Sequence, residues 1–129
     1  MHFVALIYLD PALVDAVPQP EADAMMRGCL AHADELRRDG RLLDSKMLAE
    51  PRTARSLRIR DGRMTAVDGP FAEAKEVLGG FNLIEARDLD EAVEIASGFP
   101  WASTGCVEVR PVQDFDEVRR RVGAPPAPA

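Results

Sequence analysis

The segment formed by residues 3–9 (Phe-Val-Ala-Leu-Ile-Tyr-Leu) is apolar at every position, and it limits the accessible folds more than any other feature of the chain. Its length and its β-forming composition predict a strand rather than a helix. A strand with one face in water would alternate apolar and polar residues. Both faces of the sheet that contains this strand must therefore be covered.

Helical periodicity follows in residues 21–39, where apolar residues recur at steps of three and four. Pro18 and Pro20 predict that the connection before this helix is a loop, and Gly40 predicts where the helix ends. The residues predicted to share the apolar face of the helix are Ala22, Met25, Cys29, Ala33 and Leu36.

A β-hairpin is the clearest local signal in the middle of the chain. A second strand is predicted in residues 41–49. Residues 55–60 then alternate in polarity and are predicted to form the first strand of the hairpin, and residues 63–67 its second strand. Asp61 and Gly62 between them suit the positive φ angles of a type I′ turn, whose twist matches that of the flanking strands.

The remaining segments predict a short helical piece in residues 72–78, which ends at two glycines, and a strand in residues 81–86. Asp88 and Glu91 form a capping box at the start of a second helix. Residues 105–112 read as the closing strand. The buried stripe of the second helix is predicted to consist of Leu89, Ala92, Val93 and Ala96.

These elements predict an α+β domain with a ferredoxin-like βαββαβ order and an inserted β-hairpin. The domain is expected to span residues 1–113, followed by a short helical segment in residues 114–122 and a disordered tail in residues 123–129. Two helices cover one face of the sheet only. We therefore expect the other face to pack against a second copy of the chain, which makes a homodimer.

The charge of the chain excludes some partners. Its 16 Lys and Arg and 22 Asp and Glu give a net charge of −6, whereas phosphate-backbone binding needs a basic patch, so no direct nucleic-acid partner is expected. No signal segment opens the chain and no apolar run is long enough for a membrane span, so we expect a cytoplasmic protein with no membrane partner. Two cysteines do not make a disulfide framework.

Residues 68–81 (Asp-Gly-Pro-Phe-Ala-Glu-Ala-Lys-Glu-Val-Leu-Gly-Gly-Phe) closely resemble the signature of the DGPF branch of the YCII-related family. Residues 3–8, 59–62, 88–92 and 107–111 resemble further segments of this family, in the order that the family uses. The resemblance covers roughly residues 2–112. It implies a dimeric α+β barrel, in which two ferredoxin-like sheets pack face to face.

The resemblance leaves two functions open. A related member removes chloride from a chlorinated hydroxyhydroquinone, which implies cofactor-independent acid–base chemistry on a small oxygenated or phenolic molecule. Some members lie beside, or are fused to, extracytoplasmic-function sigma factors, which implies a non-catalytic binding or regulatory dimer associated with such a factor. In the YciI-like branch a histidine on the first helix acts with an aspartate. Cys29 occupies that position here, and His32 lies one turn later.

His32 and Asp68 are the catalytic candidates, as an acid–base pair. The alternatives are a packed histidine at the flank of the helix and an aspartate that caps a turn. Two ligands, Cys29 and His32, do not make a metal site, and no cofactor is predicted. The predicted ligand-binding residues are Tyr8, Cys29, Gly69, Pro70 and Phe71.

Overall fold

The computed structural model describes residues 1–70 and 75–129. Its elements are β1 (His2–Leu9), α1 (Pro11–Asp15), α2 (Gln19–Arg38), β2 (Leu42–Met47), β3 (Arg55–Arg60), β4 (Arg63–Asp68), β5 (Val77–Glu85), α3 (Leu89–Ser97), β6 (Gly105–Pro111) and α4 (Phe115–Val122). The predicted mixed α+β class is confirmed. The division of the chain at residue 113 stays a prediction. Within the described ranges, every helix is too short or too polar to cross a bilayer.

Four strands form one antiparallel sheet in the order β2-β5-β1-β6, and β3 pairs with β4 in a separate two-stranded sheet. In the centre of the larger sheet, Ile7 of β1 lies opposite Gly80 of β5 and Val107 of β6. This strand order, with α2 and α3 as its crossover helices, is consistent with the ferredoxin-like arrangement.

Large apolar side chains fill one end of the space between the helices and the sheet. Phe3 of β1, Leu36 of α2 and Ile84 of β5 are at most 1% exposed. Phe3, Ala5 and Ile7 alternate along β1, which places them on the face that the helices cover. Burial of these side chains supplies the main apolar stabilisation of the fold.

The buried face of α3 differs from the predicted stripe. Ala92 and Ala96 are buried as predicted, but Leu89 and Val93 are 44% and 48% exposed, and Ile95 is buried instead. In a helix of nine residues, periodicity alone allows both stripes. Contact with the sheet selects the one on which two alanines let the helix approach closely.

The connection before α2 is shorter than predicted. Residues 11–15 form α1, whose N-cap Asp10 accepts a hydrogen bond from the Ala12 amide at 3.0 Å. Helix α2 begins at Gln19, so Pro20 lies inside its first turn. A proline is tolerated there because the first amides of a helix have no intrahelical acceptor.

Strand β5 begins earlier than predicted. Val77 and Leu78 are extended rather than helical, and the two glycines that follow lie within the strand. Gly80 has a steric reason to lack a side chain, because a Cβ atom there would lie 2.5 Å from the Lys46 carbonyl oxygen on β2. The earlier part of the predicted helix, in residues 72–74, lies outside the described residues.

Three local predictions are confirmed. Asp61 and Gly62 have φ angles of +53° and +71°, as a type I′ turn requires, and Gly40 has a φ angle of +73° after α2. At α3, the Glu91 amide donates to Asp88 Oδ1 at 2.9 Å, whereas the Glu91 carboxylate accepts from the Arg87 amide rather than from that of Asp88, so the Asp88 half of the capping box is confirmed. The hydrogen bond from the Glu91 amide holds the pKa of the Asp88 carboxyl below its usual range.

Candidate functional site

A groove of about 410 Å³ lies between α2 and the β2–β5 side of the sheet. This volume falls in the range of small-molecule sites. The side chains of α2 that line it are Ala22, Met25, Met26, Cys29, Leu30, Ala33 and Arg37. From the first to the last of these residues the helix rises about 22 Å, so the groove follows most of its length.

The groove exists because small residues form its floor. Gly80, Asn82 and Ile84 alternate on the helix-facing side of β5, and Ser45 of β2 lies opposite Asn82. At the packed end, Ile84 and Leu42 face each other across the same pair of strands. Close-packed interiors leave space only where side chains are too small to fill it. The sheet therefore changes from core to groove floor within two residues.

A hydrogen-bonded polar pair lies in this floor. The Ser45 hydroxyl donates to Asn82 Oδ1 at 2.6 Å, and Asn82 is 3% exposed. Because this bond uses the carbonyl oxygen of the carboxamide, the NH2 group of Asn82 is the part that a ligand oxygen would meet. A ligand that covers this NH2 group must supply an acceptor, because leaving the donor unpaired beneath the ligand is costly.

The Cys29 thiol lies on the wall formed by α2. Burial raises the pKa of this thiol, and a hydrogen bond with the Trp101 side chain acts in the opposite direction. Trp101 also lines the groove. A thiol with a raised pKa stays protonated near neutral pH and is a poor nucleophile. Cys29 therefore acts here as an apolar wall residue.

The structure gives the two catalytic candidates separate surroundings. His32 Nε2 lies 3.2 Å from the Ile95 carbonyl oxygen of α3, and its ring packs edge-on against Phe99 with 4.6 Å between centroids. Asp68 is exposed at the end of β4, with its carboxylate 3.5 Å from Arg55 Nε. No contact between described residues joins His32 to Asp68, and neither residue lines the groove.

The predicted ligand-binding residues are also dispersed. Tyr8 alternates with Ile7 on β1 and so lies on the sheet face that the helices leave uncovered. Gly69 closes the base of the hairpin, where its amide donates to the Ala54 carbonyl oxygen at 2.7 Å, and Pro70 follows it. Phe71 lies outside the described residues. Among the members of this set that the structure describes, Cys29 is the residue that lines the groove.

Sequence reasoning missed Asn82, Ser45 and Trp101 as site residues. A signal for Asn82 was present, since it is the polar residue at a position that alternates with core Ile84 in a strand. A buried polar residue is more informative than an exposed apolar one. Ser45 and Trp101 carry no comparable signal, because nothing in their local sequence places them at the groove.

A second concavity, of about 560 Å³, lies on the hairpin. Leu57, Ile59 and Met64 line it and are 62–66% exposed, so a small ligand there would stay largely hydrated. Among the residues that the structure describes, no group of three or more His, Cys, Asp or Glu side chains is arranged to hold a metal ion. The groove beside α2 is therefore the better candidate for small-molecule binding.

Comparison with known proteins supports the fold. A family model described as the YCII-related domain matches residues 1–116. An uncharacterised protein of Rhizobium meliloti (strain 1021) is 37% identical over 114 residues, which cover 87% of this chain and 92% of the relative.

A solved structure is also similar. It is the 5-chloro-2-hydroxyhydroquinone dehydrochlorinase of Burkholderia phenoliruptrix AC1100 in complex with 2,5-dihydroxybenzoquinone, which matches with a TM-score of 0.52 and 16% identity. The match covers 91% of this chain and 98% of that one. At this identity the likeness shows a shared fold.

Proposed function

This chain belongs to the YCII-related domain family, and from this premise we propose that it is a ligand-handling domain that binds a small, oxygenated and largely apolar molecule in the groove beside α2. The observation that carries the proposal is the Ser45–Asn82 hydrogen bond in the floor of a largely apolar groove, whose lining also includes Arg37, Lys46 and Thr104. The dehydrochlorinase of similar fold was solved with 2,5-dihydroxybenzoquinone, and we take that flat oxygenated ring as the first probe.

The chemistry of the groove divides between its walls and its floor. Removing an aromatic ring from water against Met25, Met26 and Leu30 is favourable by about 25 cal/mol per Å² of apolar surface. The Asn82 carboxamide then selects for a carbonyl or hydroxyl oxygen over a plain hydrocarbon. Such a site discriminates strongly, because a ligand that lacks the acceptor leaves a buried donor unpaired.

Binding is better supported than catalysis. An acid–base step needs a base within hydrogen-bond reach of the ligand. The Nε2 atom of His32 is directed at the Ile95 carbonyl oxygen instead, and Cys29 favours its protonated form. Acid–base turnover by His32 and Asp68 is therefore the less favoured version of the proposal. Association with a sigma factor stays a prediction from the family resemblance.

The proposal includes a homodimer built on the uncovered face of the sheet. Val4, Leu6, Phe81 and Leu83 alternate with the core residues of β1 and β5, and each is half-buried. Contiguous apolar side chains on a sheet face favour association, and a second copy with the same face is self-complementary. Two such sheets in contact would make the dimeric α+β barrel.

The test is the binding of 2,5-dihydroxybenzoquinone measured by isothermal titration calorimetry. We expect saturable binding, with the affinity lowered about 10- to 100-fold in Asn82→Leu, since a hydrogen bond to a buried donor contributes about 1–3 kcal/mol. Gln113→Leu is the matched control, because this exposed amide lies outside the groove lining.

Ala22→Trp, which fills the groove, gives a second test that does not depend on a buried polar substitution. It should also weaken binding, and circular dichroism should show that each variant is folded. The proposal is wrong if the wild-type chain shows no saturable binding, or if folded Asn82→Leu and Ala22→Trp both bind like the wild type.

A further inference from the structure

The β3–β4 hairpin forms a sheet of its own, separate from the four-stranded sheet. An isolated two-stranded hairpin is marginally stable in water and needs a further strand or a packed surface. The Asp61–Gly62 turn and the base contacts at Gly69 define its ends. They do not cover its faces, so its stability requires an additional contact.

The two faces of the hairpin have opposite character. Leu57 pairs with Ala66 and Ile59 pairs with Met64, which places these four side chains on one face. Leu57, Ile59 and Met64 are all more than 60% exposed. The opposite face carries the Arg60–Arg63 pair and Thr65. Within residues 1–70 and 75–129, one apolar face of the hairpin is therefore open for contact.

A matching apolar surface lies along β2 of the same chain. Strand β2 is one edge of the four-stranded sheet, and near it Leu43, Met47 and Leu48 are 47%, 76% and 46% exposed. Both edges of this sheet carry a charged pair, Asp44 with Lys46 on β2 and Glu108 with Arg110 on β6, so the exposed apolar side chains are what distinguishes the β2 edge. Met47 also lines the groove, so the apolar edge forms part of its mouth.

Charge also favours contact between a hairpin and another copy of the chain. Residues 55–68 hold four arginines and two aspartates, which give a net charge of +2. Since the whole chain has a net charge of −6, the other residues together carry −8. Opposite charges of this size steer two copies towards each other and disfavour hairpin-to-hairpin contact.

We propose that the hairpin is an arm whose apolar face packs on β2 of a second copy and closes the mouth of that copy's groove. By two-fold symmetry each protomer then covers the groove of its partner. The statement that the arm closes a ligand site rests on the proposed function. The contact between the arm and β2 does not depend on it. In this arrangement the ligand is shielded by side chains of both copies.

The first test is the mass in solution, by light scattering after size exclusion. Ile59→Glu places a charge on the apolar face, and Thr65→Glu places the same charge on the opposite face as the matched control. We expect Ile59→Glu to lower the fraction of dimer at least tenfold at micromolar concentration and Thr65→Glu to leave it unchanged. Equal dimer fractions for both variants would overturn the proposal.

The second test locates the contact by disulfide formation in a chain that lacks Cys29 and Cys106. Met47→Cys and Ile59→Cys are prepared separately, oxidised alone and oxidised as a mixture. We expect a crosslinked dimer to form in the mixture and to be at least tenfold weaker in each variant alone. A mixture that forms no heterodimeric disulfide would show that the arm does not reach β2.

The two proposals fail in different ways. Crosslinking without any binding of 2,5-dihydroxybenzoquinone would overturn the proposed function and support the arm contact. Binding by a chain that stays monomeric would overturn the arm contact and the proposed homodimer, and it would support ligand binding in the groove.

Discussion

The Ser45 hydroxyl donates a hydrogen bond to the Asn82 carboxamide oxygen across β2 and β5, with 2.6 Å between the two oxygens. The bond joins two residues that are 37 positions apart in the chain and lie opposite each other in the sheet. It places a polar group at the point where the core gives way to a groove. Chemistry in the groove therefore depends on the pairing of an edge strand with its neighbour.

Removal of the Ser45 hydroxyl should destabilise the fold, because it leaves a buried acceptor without its donor. In Ser45→Ala the Asn82 oxygen stays buried without its donor, so we expect the free energy of unfolding to fall by about 1–3 kcal/mol. Urea denaturation measures the change. Ser97→Ala is the control, since the Ser97 hydroxyl is exposed and bonds within its own helix, and it should stay within about 0.5 kcal/mol of the wild type.

The two ends of the helix–sheet space should respond differently to truncation. Ile84 is 0% exposed at the packed end, and we expect Ile84→Ala to lower the free energy of unfolding by about 2–5 kcal/mol. Leu30 is 56% exposed at the groove, so Leu30→Ala should change the free energy of unfolding by about 0.5 kcal/mol. Similar losses in chemical denaturation of the two variants would contradict a groove at this end.

The contact between His32 and α3 depends on a glycine. A Cβ atom at Gly98 would collide with Nε2 of His32 and lie 2.6 Å from its Cε1 atom. We expect Gly98→Ala to destabilise the chain by about 1–3 kcal/mol, because Phe99 and the Ile95 carbonyl hold the ring in place.

A double-mutant cycle with His32→Ala checks the origin of this loss, which should be smaller when the ring is absent. Gly28→Ala is the control. Gly28 lies inside α2 with open space around it, so that change should stabilise the chain by about 0.5–1 kcal/mol. An additive cycle would show that His32 is not the cause.

The raised pKa of Cys29 predicts slow labelling. In a Cys106→Ser chain at pH 8, we expect iodoacetamide to modify Cys29 at least tenfold more slowly in the native state than in urea, since the thiolate is the reactive form. The stability contributed by burying the neutral thiol is present below the ordinary thiol pKa. It is lost as the pH rises through the raised pKa. Equal labelling rates in the two states would contradict this.

The homodimer can be tested at the uncovered face of the sheet. Leu6 lies in the middle of this face, and Leu6→Asp would bury a charge against the partner. We expect the mass in solution to fall from that of two chains to 14.1 kDa. Val93→Asp places the same charge on the exposed side of α3 and should leave the dimer intact. A monomeric wild-type chain would exclude this interface.

Elements with local causes were predictable from the sequence. The apolar run of β1, the turn at Asp61 and Gly62 and the cap of α3 at Asp88 each depend on neighbours within a few residues. The strand order follows from connecting them without crossings. Boundaries were less accurate where a local signal was ambiguous, as for the two glycines that lie inside β5 rather than after a helix.

Most residues of the candidate site could not be predicted from the sequence. Cys29 was expected to face a ligand, and it lines the groove. Helical periodicity placed His32 at the edge of the apolar stripe but could not say which neighbour it meets. The structure turns it towards Ile95 and Phe99.

The sequence by itself determined where strands and helices form and which of their faces are apolar, because side-chain size and backbone preference act over short distances. Only the tertiary structure decided that Ser45 meets Asn82 and that Gly80 lies beneath α2. The physical reason is that a cavity is a deficit of side-chain volume summed over segments far apart in the chain. No single segment carries that sum.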